Sequence, residues 1–564
     1  MAYFEEVRNG EPLPQTARLT VIAQDPSIRA NDRILTAQVA VPAEVLEPGP
    51  RGARFHVVDY DAAEGRLVPP AQLSPPDRFE DAPDEVLTGD PDFRAQNVYT
   101  IAARTLATFE AALGRRLRWA FASHQLYLVP RAFPELNAYY SPGDDAILFG
   151  YLPVGESELQ TSLSHDVIAH ETTHAVLDGL RPRFAEPGLP DQPAFHEALG
   201  DIVALLSVFS LQEVVERLLG EPDADGRIDV TQVAPETLRR SALFGLAEEL
   251  GAASGGERGS GLRRSIELHP SSTWRTESAF LEAHRRGEVL VAAVMATLLD
   301  MWERRLTALR AGQRINRASV AEEGAKAADH LLRMIVRGVD YMPPVELEFE
   351  DVLDSVLQAD EIVAPDDHHG YRTALSDSFA GFGIERSERR IIDMSERLSP
   401  TYERMNYAAL RSDPTEVARF IWENADVFSI NRGYWLQVGS VQPSVRVGPD
   451  GLVVSEVVAT YVQTLELTAG ELAEHDVEPA AQLRPDTKLQ IWGGGVIVFD
   501  QFGRAKLHQT KPLADWPRQA RRLAYLVGHG LADSKQRYGY TISTPRGQRF
   551  AALHVGDRRA GEDW

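Results

Sequence analysis

Ser164–Leu180 reads SHDVIAHETTHAVLDGL, and inside it stand His170, Glu171, Thr172, Thr173 and His174. On a helix, residues four apart share a face, so His170 and His174 can bind one metal ion together. Glu171, next to the first histidine, is placed where a carboxylate can take the proton of a metal-activated water. Leu163, Val167, Ile168, Ala169, Val176 and Leu177 surround this polar group with apolar surface, as in a buried helix.

A second helical pattern follows Asp191-Gln192-Pro193 and runs as AFHEALGDIVALLSVFSLQEVVERLLG. Asp191 reads as its cap, Pro193 suits its first turn and Gly220 its end. Glu197 and Asp201 lie four apart near its start, in otherwise apolar surroundings. A carboxylate facing a core is costly unless it is paired or binds metal. Glu197 therefore reads as a third ligand, and Asp201 as the acceptor for a ligand histidine's other nitrogen. Three protein ligands leave one position open, which is the catalytic rather than the structural arrangement of a zinc ion.

HExxH on one helix and E-x-x-x-D on the next resemble the gluzincin metallopeptidases, in particular the thermolysin-like branch. Asp166-Val167-Ile168-Ala169 is similar to the family's lead-in to the first helix, and Asp166 is placed with Asp201 among the residues behind the ligands. Asn137-Ala138-Tyr139-Tyr140 and Ala146–Gly150 resemble the family's substrate-lining edge strand and its partner. Glu282-Ala283-His284-Arg285-Arg286-Gly287 resembles the place where the family keeps its transition-state histidine. The resemblance implies one Zn²⁺ per chain on His170, His174 and Glu197, with Glu171 as general base and His284 as donor to the oxyanion. It also implies substrate contacts at Asn137, Ala138 and Tyr139, while Tyr140 fits either the pocket or the core. The chain departs from the pattern in a longer interval between His174 and Glu197, and in His196 where the family usually has Asn. No carboxylates after Val208 match the family's calcium sites, and calcium is not expected.

The 564-residue chain has 83 acidic and 58 basic residues, a net charge of −25, which argues against nucleic-acid or anionic-membrane partners. It has no cysteine, so thiolate ligands, a cysteine nucleophile and disulfides are excluded. The beginning, MAYFEEVRNGEPLP, lacks the basic and apolar regions of a secretory signal, and no apolar run spans a bilayer. A cytoplasmic protein is expected.

The fold class expected is α+β, a zincin-type unit with a β-rich N-terminal lobe, a helical lobe and zinc in the cleft between. Four segments are expected: residues 1–84, β-rich; 85–160, the α+β upper lobe; 161–385, the helical zinc-binding lobe; and 386–564, a β-rich accessory domain. Strands are predicted at Arg18–Ala23, Ile34–Val41, Arg54–Tyr60, Trp119–Val129 and Asn137–Tyr151, with a helix over Asp92–Leu117. Further helices are predicted at Glu236–Leu250, Glu288–Leu309, Arg317–Val336 and Phe349–Asp360, with a Gly- and Ser-rich loop at Gly251–Gly261. Beyond Arg386, strands are predicted at Val427–Val438, Ser444–Val447, Leu452–Leu467, Leu489–Phe499 and Ala505–Leu507, then a helix at Trp516–Leu526. Gly493-Gly494-Gly495 reads as a bend or bulge. His165, five before the first ligand, is expected at solvent, as are His368 and His369. His196 fits a place beside the site or an ordinary, partly buried one.

These readings make the chain a zinc-dependent peptidase acting on a peptide or protein, with the C-terminal domain recognising a substrate or regulator. The alternatives are a gluzincin aminopeptidase, whose GxMEN motif is missing here, and a zinc-binding scaffold without turnover, in which Glu171 would have no task.

Overall fold

The computed structural model describes residues 15–529 apart from 31, 74–76, 155–156, 187, 239–263, 266, 308, 310–311, 388–390, 394–405 and 449–450. The predicted helix beyond residue 238, the Gly251–Gly261 loop and much of 386–405 lie outside the described residues. The architecture is mixed α+β: N-terminal sheets, a central helical region and a C-terminal antiparallel sheet.

The N-terminal part opens with an antiparallel pair, β1 (Thr16–Ile22) and β2 (Thr36–Pro42). A short strand β3 (Phe55–Val57) precedes the long helix α1 (Pro91–Leu113). The Asp90 carboxylate caps α1 through the Asp92 N–H, and Gly114, at φ 67°, ends it four residues short of the expected Leu117. Strands β4 (Leu126–Phe133), β5 (Ala138–Ser141), β6 (Ala146–Val154) and β7 (Ser157–Gln160) complete a mixed sheet in the order β7-β6-β4-β3. β4 starts at Leu126, not Trp119, because Trp119 is taken up in packing on Phe55 and Phe121. β5 pairs with β6 alone among the described residues, which leaves its other edge open beside the helices.

Two helices follow at once: α2 (His165–Leu180) and α3 (Asp191–Phe209). α3 ends at Phe209 instead of running to Gly220. Leu211 is extended, and a separate helix, Gln212–Leu218, leaves at 82°. Ser207 and Ser210 turn their hydroxyls back onto the carbonyls of Ala204 and Ser207, a habit that loosens helix ends. α4 (Ala283–Leu306), α5 (Arg317–Val339), α6 (Phe349–Val363) and α7 (Tyr371–Gly381) finish the helical region. One continuous apolar core joins the N-terminal sheets to these helices, from Val21 through Ile168 and Val291 to Ile384. No single helix among the described residues is long and apolar enough to cross a membrane.

The C-terminal sheet has the order β8-β12-β11-β10-β9, with β8 (Ile391–Asp393) three residues long at one edge. Helix α8 (Pro414–Glu423) packs on it. β9 (Trp435–Val447), β10 (Val453–Thr468), β11 (Lys488–Asp500) and β12 (Ala505–Lys511) are the long antiparallel strands, and α9 (Trp516–Gly528) closes the described chain. The two strands predicted at Val427–Val438 and Ser444–Val447 are one, beginning at Trp435; the residues before it turn, with Phe428 in the core under Phe420. Gly493–Gly495 form neither bend nor bulge: they pair regularly with Gln463, Val462 and Tyr461, and the register breaks lie near Gly439 and Phe499. A Cβ on Gly493 would meet the Leu513 backbone nitrogen at 2.4 Å, so glycine serves close chain approach there.

The sheet meets the helical region over a seam that is apolar at its centre, with Tyr341 and Ala359 against Val458, Val496, Val498 and Leu507. Buried ion pairs flank it. Arg446 of β9 reaches Asp340 and Glu456, each at 3.1 Å, and Asp340 also holds Arg115 at the end of α1. Lys511 sits on Asp351 and Glu348 at 2.6 and 2.7 Å, and Glu346 lies between Arg518 and Arg522 at 2.8 and 3.1 Å. Burial alone would raise the Asp340 carboxyl, but Arg115 and Arg446 outweigh it and hold its pKa at about 2.

Candidate metal centre

α2 is buried along nearly its whole length because β5, α1 and α3 surround it. His170 and His174 therefore face α3 in the protein interior, where Glu197 approaches from the second turn of that helix. The Glu197 Oε2 lies 3.6 Å from His170 Nε2 and 3.6 Å from His174 Nε2. Glu197 is 1 % exposed and His174 fully buried. Such separations are long for hydrogen bonds. They match ligand atoms set about 2.0–2.2 Å from a common tetrahedral centre, which stand roughly 3.3–3.6 Å apart. These three side chains form a group able to hold a metal ion, with all ligand atoms within 4.8 Å of one another. Burial would raise the Glu197 carboxyl, yet the imidazoles of His174 and His284 hold it well below the ordinary range.

The other predicted residues fall as follows. Asp201 Oδ1 meets His170 Nδ1 at 2.9 Å, which turns the ring so that Nε2 points to Glu197. Glu171 is fully buried on the same helix, and its Oε2 accepts the Tyr140 N–H at 3.0 Å. His284 stands in the first turn of α4 with its Nε2 3.4 Å from Glu197 Oε2, so a fourth side chain converges from a third helix. Asn137 precedes the open edge of β5, and its Oδ1 accepts the Ala138 N–H at 2.9 Å. Tyr139 is half-buried and stacks on Phe133 at 5.4 Å, whereas Tyr140 is fully buried and gives its hydroxyl to Asp178 at 3.1 Å. Asp166 lies in the first turn of α2, one turn before His170; burial, with Asp25 adding, pushes its carboxyl up to about 7.

One histidine differs from expectation, and two do not. His165 is 1 % exposed rather than solvated, with Nε2 3.3 Å from Ser207 Oγ, and burial lowers its pKa to about 3. The reason is that α2 has no solvent face at its start: α3 covers one side and the β1 end the other. His196 is buried and stacks on His174 at 4.6 Å, so it backs the second ligand's ring. His369 is exposed, stacked on Tyr371, as a loop residue should be.

Four supporting residues were not singled out in the sequence for this purpose. Glu282 caps α4 through the His284 and Arg285 amides and also meets His284 Nδ1 at 3.0 Å. An acidic residue just before an apolar helix is a capping signal, and it could have been read. Gly200 lets the His170 ring lie flush on α3: a Cβ there would stand 2.7 Å from His170 Cε1. Asp191 does not cap α3; its carboxylate holds Arg286 of α4 at 2.5 Å and the Phe349 N–H of α6 at 2.9 Å. It thereby ties the starts of the three helices together around the site, with Arg286 lying over the Trp274 ring at 4.6 Å.

Comparison with protein-family models finds no match, and comparison with curated proteins finds none either. The site itself, a buried His170/His174/Glu197 group able to hold a metal ion, carries the functional argument.

Proposed function

We propose that the chain is a zinc-dependent peptidase of the gluzincin kind. The observation that carries this reading is the convergence of His170, His174, Glu197 and His284 from three helices beside a buried, tethered Glu171. The donor set of two imidazoles and one carboxylate suits zinc with one position left open. Zinc held there would supply Lewis acidity toward a carbonyl and lower the pKa of water.

The chain's own residues then have defined tasks. Glu171 accepts the proton of the attacking water and passes it to the leaving amine; the Tyr140 N–H fixes the carboxylate for this. His284, oriented by Glu282 on its Nδ1, presents Nε2 to the carbonyl oxygen as charge develops, a contribution on the order of 10²–10³ in rate. An extended peptide adds to the open edge of β5 at Asn137 and Ala138, beside Tyr139. A scaffold without turnover would gain nothing from a buried carboxylate tethered at Glu171's position.

The test is metal analysis together with peptide-library cleavage read by mass spectrometry, on the parent and Glu171→Gln. One zinc per chain in both proteins, with cleavage by the parent alone, is the expected result. Equal cleavage by both, or a parent that takes up no zinc, sinks the proposal.

A further inference from the structure

The two edges of β5 are bound in different ways. Toward β6 it pairs as a strand, with Phe149 opposite Ala138 and Ile147 opposite Tyr140, and the Gly150 N–H meets the Asn137 carbonyl at 2.8 Å. Successive residues of an antiparallel strand point their polar backbone groups to opposite sides, so Ala138 and Tyr140 turn theirs away from β6. α2 lies on that side. The Tyr140 N–H meets Glu171 Oε2 at 3.0 Å, and the Tyr140 hydroxyl donates to Asp178 Oδ2 at 3.1 Å.

Glu171 and Asp178 share one face of α2, two turns apart. Tyr140 spans those turns, its backbone at one carboxylate and its ring tip at the other, and all three residues are buried. The Asp178 end of α2 is firmly held. A Cβ on Gly179 would stand 2.1 Å from the Arg118 carbonyl oxygen, so the chain presses close there. Arg181, just past the helix, gives Nη2 to the carbonyls of Val339 and Asp340 at 2.8 and 2.6 Å. A hydroxyl bound to a carboxylate in such dry surroundings is a strong tether. Glu171 needs one: the helix fixes where its side chain starts, but not where the carboxylate points.

We infer that Asp178 and Tyr140 are positioning residues for Glu171. Asp178 holds the Tyr140 ring, the ring holds β5 in place along α2, and the Tyr140 N–H aims the carboxylate that takes the proton of the attacking water. This rests on the peptidase reading of the metal centre. The strand that aims the base is also the strand to which an extended peptide adds, so one element places both reacting partners. Asp178 thereby acts on the reaction through Tyr140, from two turns away.

The test compares zinc-loaded, full-length parent with Tyr140→Phe, Asp178→Ala and Asp178→Asn. It measures kinetics on the best-cleaved peptide of a library and hydrogen exchange of the residue-140 amide, read by fragmentation mass spectrometry. In Tyr140→Phe and Asp178→Ala, kcat falls about ten-fold or more while KM stays within about two-fold. The residue-140 amide exchanges about ten-fold faster in both. Asp178→Asn keeps an oxygen to accept the Tyr140 hydroxyl and stays near the parent in both readouts, and all variants keep the parental zinc content. Combining Tyr140→Phe with Asp178→Ala costs no more than the larger single loss, since the two act as one unit. Parental kcat and exchange in Tyr140→Phe overturn the assignment, as does a loss in Asp178→Asn equal to that in Asp178→Ala. If the zinc-loaded parent cleaves nothing, the peptidase reading falls alone, and the exchange rates still decide whether Asp178 governs the contact with Glu171. Should a single variant fold poorly, Tyr140→Phe with Asp178→Leu strands no buried polar group, and the same loss of kcat is expected.

Discussion

The metal centre and the seam beneath the C-terminal sheet both bury charge, and they balance it differently. At the seam every carboxylate named meets a cation of the same chain: Asp340 meets Arg115 and Arg446, Asp351 meets Lys511, Glu346 meets Arg518 and Arg522. At the centre Glu197 meets imidazoles, at 3.4–3.6 Å, spacings long for hydrogen bonds and right for a shared ion. The seam is complete in itself. The centre could hold a cation from outside, and this difference separates a structural ion pair from a candidate site.

The sharpest way to break the comparison is Glu197→Ala. If the centre needs a cation, losing one of three ligands weakens zinc binding by roughly 10²–10³-fold or more, read by competition with a chromophoric chelator. Retention of parental affinity would mean that the metal sits elsewhere. Next in size is Arg446→Ala at the seam. The loss removes Glu456's guanidinium partner and one of the two that hold Asp340, at a cost of about 3–5 kcal/mol in denaturant melts. Zinc should still bind one per chain in this variant. Loss of zinc along with stability would show that the two regions are coupled and not separate solutions.

The two regions were not equally legible in the sequence. His170, Glu171, His174 and Glu197 could be read because metal ligation needs fixed helical spacing, and their helices are short-range structures. Asp201 followed from its four-residue offset, and the structure puts it on His170. The seam could not be read: Asp340 and Arg446 are more than a hundred residues apart, and nothing local distinguishes them from surface charges. The same holds for Asp191, which has the sequence of a cap and the contacts of a three-helix tie. His165 was misplaced because periodicity gives the face of a helix but not what covers that face. The strand at Trp435 was obscured because Val427, Phe428 and Ile430 are apolar for the sake of the core under α8, not for a sheet.

Titration sharpens the contrast with smaller effects of opposite sign. Asp340 is lowered from 3.8 to about 2 by the guanidiniums of Arg115 and Arg446 against its burial, so its contribution is complete above about pH 4 and is lost as pH falls toward 2. Asp166 is raised by burial, with Asp25 adding, from 3.8 to about 7; its favourable protonated form is complete below about pH 4 and lost as pH rises through 7. Urea melts between pH 2 and 8 should therefore show Asp340→Asn flattening the acid limb and Asp166→Asn raising stability between pH 5 and 8. Each effect is a few kcal/mol at most, from about 1.4 kcal/mol per unit. An Asp166→Asn profile parallel to the parent's would remove the buried acid from the account.

Gly200→Ala has the smallest expected effect and separates helix stability from site geometry. Alanine in the interior of α3 favours the helix by up to about 1 kcal/mol. Its Cβ, however, would stand 2.7–2.9 Å from three atoms of the His170 ring, while Asp201 holds that ring at Nδ1. In the zinc-free protein the imidazole can swing away, so the melt should be unchanged or slightly raised. Binding zinc forces the ring back against the new methyl, and affinity should fall about ten-fold, the scale of losses when a ligand's support is disturbed. Opposite movement of the two measurements would place the cost in the geometry of His170. Parallel movement would place it in the helix, and the close approach of α2 to α3 would then owe nothing to the metal.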